Sequence, residues 1–197
     1  MFRRSLVLVV AFAATLMLSA AALAASVTIR VEGRTQTIYG SLPVTIDAAN
    51  AFVALDVASR QGEFYYGVTH SSFGDYVSQI GRYPAAGGAG WVFKVNGASP
   101  PVGADQVQLA DGDTVLWYWA EFGPNGGPPT LDLKADGRNC YRVTAYDDAG
   151  KAAPATTAVL HVDGRRVKTP MGRGCVGAHR GSVRAYAVGA VRSNSVK

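Results

Sequence analysis

A chain of 197 residues in which 48% are hydrophobic and 10% aromatic can bury a core, which excludes an intrinsically disordered protein. Removal of a leader would leave about 170 residues, enough for one large or two small domains. The formal charge of +5 is unevenly spread: five Lys or Arg face nine Asp or Glu over residues 26–127, and twelve face five from residue 128 onward. This asymmetry favours an acidic module joined to a basic one.

At the amino end Arg3 and Arg4 precede an apolar run from Leu6 to Leu18, and Ala22-Leu23-Ala24 has the small-x-small pattern of a cleavage site. Residues 1–24 therefore read as a signal peptide, with a mature start at Ala25. The run is shorter than the about 20 apolar residues of a spanning helix, and no later stretch reaches that length. A lipid anchor would need a cysteine beside the cleavage site, whereas the first in the chain is Cys140. The expected location is secreted or cell-surface associated, with no membrane span after cleavage.

Val27 to Glu32 alternates apolar and polar residues and turns at Gly33-Arg34 toward Thr37-Ile38-Tyr39, the pattern of a hairpin. Asp47 is placed as the cap of a helix from Ala48 to Gln61, with Phe52 and Leu55 on one face and Gly62 as its stop. Gly74 to Ile80 fits either a short strand or a helical turn. Trp91 to Val95 enters an Asn96-Gly97 turn, the strongest hairpin signal in the chain. Strands are expected at Val107–Leu109 and, after the Asp111-Gly112-Asp113 turn, at Val115–Trp119. In the latter, Val115, Trp117 and Trp119 face one way and Leu116 and Tyr118 the other, so both faces need cover.

Taken in order, Phe73-Gly74-Asp75-Tyr76-Val77-Ser78-Gln79-Ile80, Trp91-Val92-Phe93-Lys94-Val95-Asn96-Gly97, Val102-Gly103-Ala104-Asp105 and Leu109 to Tyr118 resemble the β-domain at the C-terminus of transcobalamin and intrinsic factor. A similar module occurs in bacterial exported proteins as a domain of unknown function. The resemblance implies a β-grasp-like sheet with one helix over residues 25–122. It also implies ligand contact around Phe73, Gly74, Tyr76, Trp91 and Phe93, with a corrinoid or another flat molecule as the ligand class. The vertebrate carriers enclose cobalamin between this domain and a helical barrel that is not encoded here, so cobalamin is not expected as a resident cofactor.

Residues 123–129, rich in Gly and Pro, read as a linker. Beyond it, short alternating segments within Leu131–Leu133, Cys140–Lys151, Ala158–Gly164, Gly181–Ala187 and Val191–Ser193, with Asp-Asp-x-Gly and Asp-Gly turns, predict a small β-sandwich over residues 130–197. This part resembles the Ig-like and carboxypeptidase-regulatory-like modules of bacterial surface proteins. The fold class is thus mainly β, α+β in the first domain. In an exported chain Cys140 and Cys175 read as a disulfide, with two separate buried thiols as the alternative.

Candidate chemistry is sparse. Gly172-Arg173-Gly174-Cys175-Val176-Gly177 has dinucleotide-loop spacing but no helical pattern after it. Asp111-Gly112-Asp113 reads as turn chemistry rather than a calcium loop, and no metal site is expected. His70-Ser71-Ser72 is a polar cluster without a nucleophile elbow, and no catalytic residue is assigned. The seven basic residues Arg165, Arg166, Lys168, Arg173, Arg180, Arg184 and Arg192 suit an anionic envelope polymer, without the interleaved aromatics of a nucleic-acid surface. The expected function is a non-enzymatic binding or adhesion protein of the envelope or medium, its partner an envelope protein, an anionic wall polymer or a small ligand. The alternatives are capture of a flat ligand by the first domain and a spacer role in an envelope assembly.

Overall fold

The computed structural model describes residues 24–71, 74–124 and 126–197. The expected signal peptide, except for residue 24, and Phe73 lie outside them. Among the described residues, no helix is long and apolar enough to cross a membrane. The fold is mainly β, with several sheets and a single α-helix among the described residues.

The first hairpin joins β1 (Ala25–Glu32) to β2 (Thr37–Ala48), longer than Tyr39 suggested because the chain continues through Gly40 to pair Ala48 with Ala25. That ladder draws Asp47 into the strand opposite Ser26, so the helix start moves. Helix α1 (Ala51–Gly62) is capped by Asn50, whose Oδ1 accepts the Val53 amide at 2.8 Å. Gly62 is its last residue rather than its stop. A Cβ there would come within 2.6 Å of Tyr39 Cδ2, and the left-handed residue that ends the helix is Glu63. Ala51, Ala54, Leu55 and Ala58 are the buried face, and three alanines let the helix axis approach the sheet closely.

After the helix, β3 (Tyr66–Ser71), β4 (Gly74–Ile80) and β5 (Tyr83–Pro84) form a small antiparallel sheet, which settles Gly74–Ile80 as strand. Next come β6 (Ala89–Val95) and β7 (Thr114–Glu121). Asn96 and Gly97 make the expected tight turn, with φ of 52° and 87°, but it closes only one bridge, Val95 to Ala98. The chain then crosses over as a loop, and β6 pairs instead with β7. Val107–Leu109, expected as a strand, contributes only a bridge from Gln108 to Asn50. The main sheet has the order β2-β1-β7-β6, with β1 and β7 parallel at its centre, a β-grasp-like arrangement.

Residues 123–129 lead into β8 (Thr130–Ala135), β9 (Cys140–Tyr146) and β10 (Ala152–Pro154). There follow β11 (Val159–Val162), β12 (Arg165–Lys168), β13 (Arg173–Cys175), β14 (Val183–Tyr186) and β15 (Ser195–Val196). Strand β9 carries β8 on one edge and β10 and β13 on the other, while β12-β11-β14-β15 form a second sheet. Leu131, Leu133, Val143, Leu160, Val162 and Val183 fill the space between the sheets. Cys140 and Cys175 are opposite each other on β9 and β13 and form a disulfide. The glycine-rich run 172–177 is therefore largely edge strand. Val191–Ser193, expected as a strand, is irregular: the Ser193 hydroxyl accepts the Ala185 amide, and Asn194 bonds both backbone groups of Leu133.

The face of the main sheet away from α1 is covered by this second half. Leu116, Tyr118 and Ala120 pack against Val191. Beside them Glu32, only 1% exposed, accepts from Arg30 and Arg184 at Oε1, Arg192 at Oε2 and the Thr37 hydroxyl at both oxygens. Arg30 also donates to the carbonyls of Leu131 and Arg192, and Arg192 to that of Gly33. Burial pushes the Arg30 guanidinium down from its ordinary value, while Glu32 acts to raise it. Lys94, also 1% exposed, donates to the carbonyls of Tyr146 (3.1 Å) and Asp147 (2.7 Å) in the second half.

Replacing Glu32 by Gln leaves three guanidiniums facing one another without their shared anion, and unfolding in urea is expected to show a loss of about 3–5 kcal/mol. The double variant Cys140→Ser, Cys175→Ser frees a 35-residue separation. It should lose about 3–4 kcal/mol by the same assay, and a reductant should have no further effect on it.

Candidate functional site

Strand β6 is the outer strand of the main sheet, and a depression of about 400 Å³ wraps around its free edge. Four separated segments line it: Tyr76 and Val77 of β4, Trp91 to Phe93 of β6, Trp117 and Tyr118 of β7, and Pro100 to Ala104 of the crossing loop. Asp75, Ser99, Phe122 and Asp148 complete the lining. Alternation puts Trp91 and Phe93 on the helix side of the sheet and Val92 on the other, so the edge presents both sets to one concavity.

The walls are held by internal contacts. Trp91 is 2% exposed, its indole nitrogen donating to the Tyr83 carbonyl at 2.7 Å and its ring set edge-on against Trp119 at 6.0 Å. Phe93 stacks on Trp117, with centroids 5.1 Å apart, and the Trp117 nitrogen donates to the Ala51 carbonyl of α1. Tyr76 is 43% exposed, and its hydroxyl lies over Gly90, where a Cβ would collide with it. Gly90 is thus the reason Tyr76 can lean across the edge strand.

The polar end comes from the second half of the chain. Asp148 accepts the Gly127 amide at 2.9 Å and lies 3.7 Å from Lys94 Nζ. Burial pushes the Tyr118 hydroxyl far above the ordinary tyrosine value, and the Asp148 carboxylate adds to that shift. Tyr118 is therefore neutral at any physiological pH. Burial also lowers the Lys94 ammonium, against the pull of Asp148 and Asp147. The result is an apolar slot with an anionic rim, suited to a molecule with a flat apolar face and a donor or cationic edge.

Of the residues expected from sequence to contact a ligand, Tyr76, Trp91 and Phe93 meet in this depression. Gly74 opens β4 beside Asp75 and is not part of the lining, and Phe73 lies outside the described residues. Tyr118, Asp148 and the loop at Pro100 also line the depression and are not among those expected contacts. Tyr118 had been noted for its face, but Asp148 is distant in sequence and belongs to the other half, so no local pattern pointed to it.

The other polar motifs have structural partners. His70 Nδ1 lies 2.7 Å from Asp75 Oδ1 across β3 and β4, an exposed pair. Asp111 accepts the Ser26 amide, and Asp113 accepts the Ala110 amide and the Asn96 side chain, so these carboxylates secure turns. Among the described residues, no three His, Cys, Asp or Glu side chains are grouped to hold a metal ion. Arg173 pairs with Asp136, and Arg184 and Arg192 with Glu32, which divides the basic residues of the second half into separate settings.

In comparison with known proteins, one family model matches part of the chain. No curated protein matches it. A protein from Ruminococcus gnavus ATCC 29149, whose crystal structure names it a "putative metal binding protein", is similar over 50% of this chain and 99% of its own, at 17% identity and a TM-score of 0.39. That score is too low to establish a shared fold. Residues 51–121, from the start of α1 to the end of β7, match the family described as "Domain of unknown function (DUF4430)".

Proposed function

We propose that the chain is an exported, non-enzymatic binding protein and that the depression at the β6 edge is its ligand site. The observation that carries this reading is the convergence of Tyr76, Trp91, Phe93 and Pro100 on one open concavity closed at its polar end by Asp148. Aromatic walls with a few placed polar groups are the usual make-up of a small-molecule site. The polar groups of the lining are Ser99, Tyr118 and the carboxylates Asp75 and Asp148, with no His or Cys among them. The disulfide supports export, since such bonds persist in oxidising compartments.

The ligand class is a flat molecule with an apolar face. The resemblance to the transcobalamin β-domain favours a corrinoid as one member of that class. A corrinoid held against one wall must still offset its lost translational freedom, so its affinity here is expected to be far weaker than in a carrier that encloses it. Among the described residues, α1 packs on the main sheet and does not face the depression from the other side.

The test is titration of the purified mature chain with a panel of planar aromatic compounds and with cobalamin, followed by tryptophan fluorescence and calorimetry. Saturable quenching by a panel member supports the site. No signal from any compound at high micromolar concentration overturns it, and silence from cobalamin alone removes the corrinoid member. The substitution Gly90→Ala is expected to drive Tyr76 off the edge and weaken the best ligand about tenfold, while the stability measured by urea unfolding changes by less than about 1 kcal/mol.

A further inference from the structure

Strand β6 leaves part of its backbone edge unpaired beside the depression. Toward β7, Gly88 accepts from the Phe122 amide and Asn96 donates to the Thr114 carbonyl. On the opposite side Ala89 exchanges two hydrogen bonds with Ala86, and Val95 exchanges two with Ala98. The register with β7 runs without a shift from Ala89 to Val95, so alternation turns the amides and carbonyls of Trp91 and Phe93 to that same outer side. Tyr76 leans over the edge at Gly90, and Trp91 is buried there. Phe93 is half-buried, and its outward amide and carbonyl have no backbone partner among the described residues.

The neighbouring segments do not complete this ladder. Strand β5 pairs only with Gln79 and Ile80 of β4, which leaves no strand between β6 and the wall formed by Asp75, Tyr76 and Val77. The crossing loop passes the same edge without a free donor at its start: the Ser99 amide goes to the Asp148 carbonyl, and Pro100 and Pro101 have no N–H. Around the gap the lining is mostly apolar, and its charges are the carboxylates of Asp75 and Asp148, whose side chains are 43% and 40% exposed. Asp75 meets the His70 ring through Oδ1, and Asp148 accepts the Gly127 amide through Oδ2. A carboxylate has about four acceptor sites, so both can take a further donor.

Resting on the reading of this depression as the ligand site, we infer that its flat ligand is an aromatic side chain carried on an extended peptide, which adds to the edge of β6 at Phe93 and brings a lysine or arginine to Asp148. Side chains alternate across an added strand, so one face of the peptide meets Phe93 and Trp117 and the other meets Tyr118 and Asp148. Main-chain bonds to Phe93 supply affinity independent of sequence, and the alternation of apolar with basic residues supplies the choice of partner.

The full mature chain is titrated by calorimetry with acetyl-Val-Lys-Phe-Lys-Val-amide, with the same peptide N-methylated at every backbone amide, with an analogue carrying norleucine in place of lysine, and with acetyl-phenylalanine amide. Amide hydrogen exchange is followed with and without the parent peptide. The parent should bind with a Kd of about 0.1 mM or tighter, and the N-methylated form and acetyl-phenylalanine amide at least about tenfold more weakly. Exchange at the Phe93 amide should slow on saturation. Asp148→Asn, which keeps an acceptor for Gly127, should weaken the parent about fivefold more than it weakens the norleucine analogue. Equal losses for those two peptides would overturn the basic residue. Equal binding of the N-methylated form, or unchanged exchange at Phe93, would overturn strand addition. Failure of every peptide while planar compounds still bind would overturn the peptide and leave the depression as a small-molecule site, whereas failure of both would overturn both readings.

Discussion

Glu32 is the charge around which the two halves of the chain are fitted together. A carboxylate taken out of water is costly unless its lone pairs are met, and here Arg30, Arg184, Arg192 and Thr37 meet them. Two of those guanidiniums come from strand β14 and the segment before β15, more than 150 positions away. The geometry of a planar guanidinium leaves little freedom in how the second half can sit on the main sheet. The small apolar cluster of Leu116, Tyr118, Ala120 and Val191 supplies burial, and the charges supply register. Lys94 reverses the signs a short distance away, placing a cation from the acidic half among carbonyl oxygens of the basic one.

The candidate site inherits its shape from that seam. Asp148, which closes the polar end of the β6 depression, is next to Asp147, whose carbonyl accepts from Lys94. The site therefore uses residues from both halves, and a module cut at residues 123–129 would carry only part of its wall.

The parts legible in the sequence were those set by local chemistry. Asn96-Gly97 and Asp163-Gly164 adopt the positive φ values that tight turns need, and the two-faced pattern of Val115–Trp119 does have cover on both faces. The pairing of Cys140 with Cys175 also followed from composition and compartment. What escaped was decided by partners far along the chain. Asp47 has a good capping side chain, yet pairing with β1 holds it in a strand and leaves the cap to Asn50. Strand β3 escaped because Tyr66–Ser71 mixes glycine and polar residues and gains its order from β4. Glu32 looked like an ordinary solvent-facing residue of an alternating strand. Only the arrival of Arg184 and Arg192 makes its burial tolerable, and that information lies in the last residues of the chain.

The parallel contact of β1 with β7 also sets an order of events for a chain that emerges amino end first. Strand β1 can form its hairpin with β2 at once, but the place beside it stays empty until residues 114–121 arrive. Its outer face waits longer still, because Arg192 reaches back 160 positions to Glu32. During that interval the carboxylate remains in water, where it is at no disadvantage, and it keeps that face of the young sheet wet. Arg192 is thus among the last partners to emerge, and the seam cannot dry around a fully met Glu32 until it does.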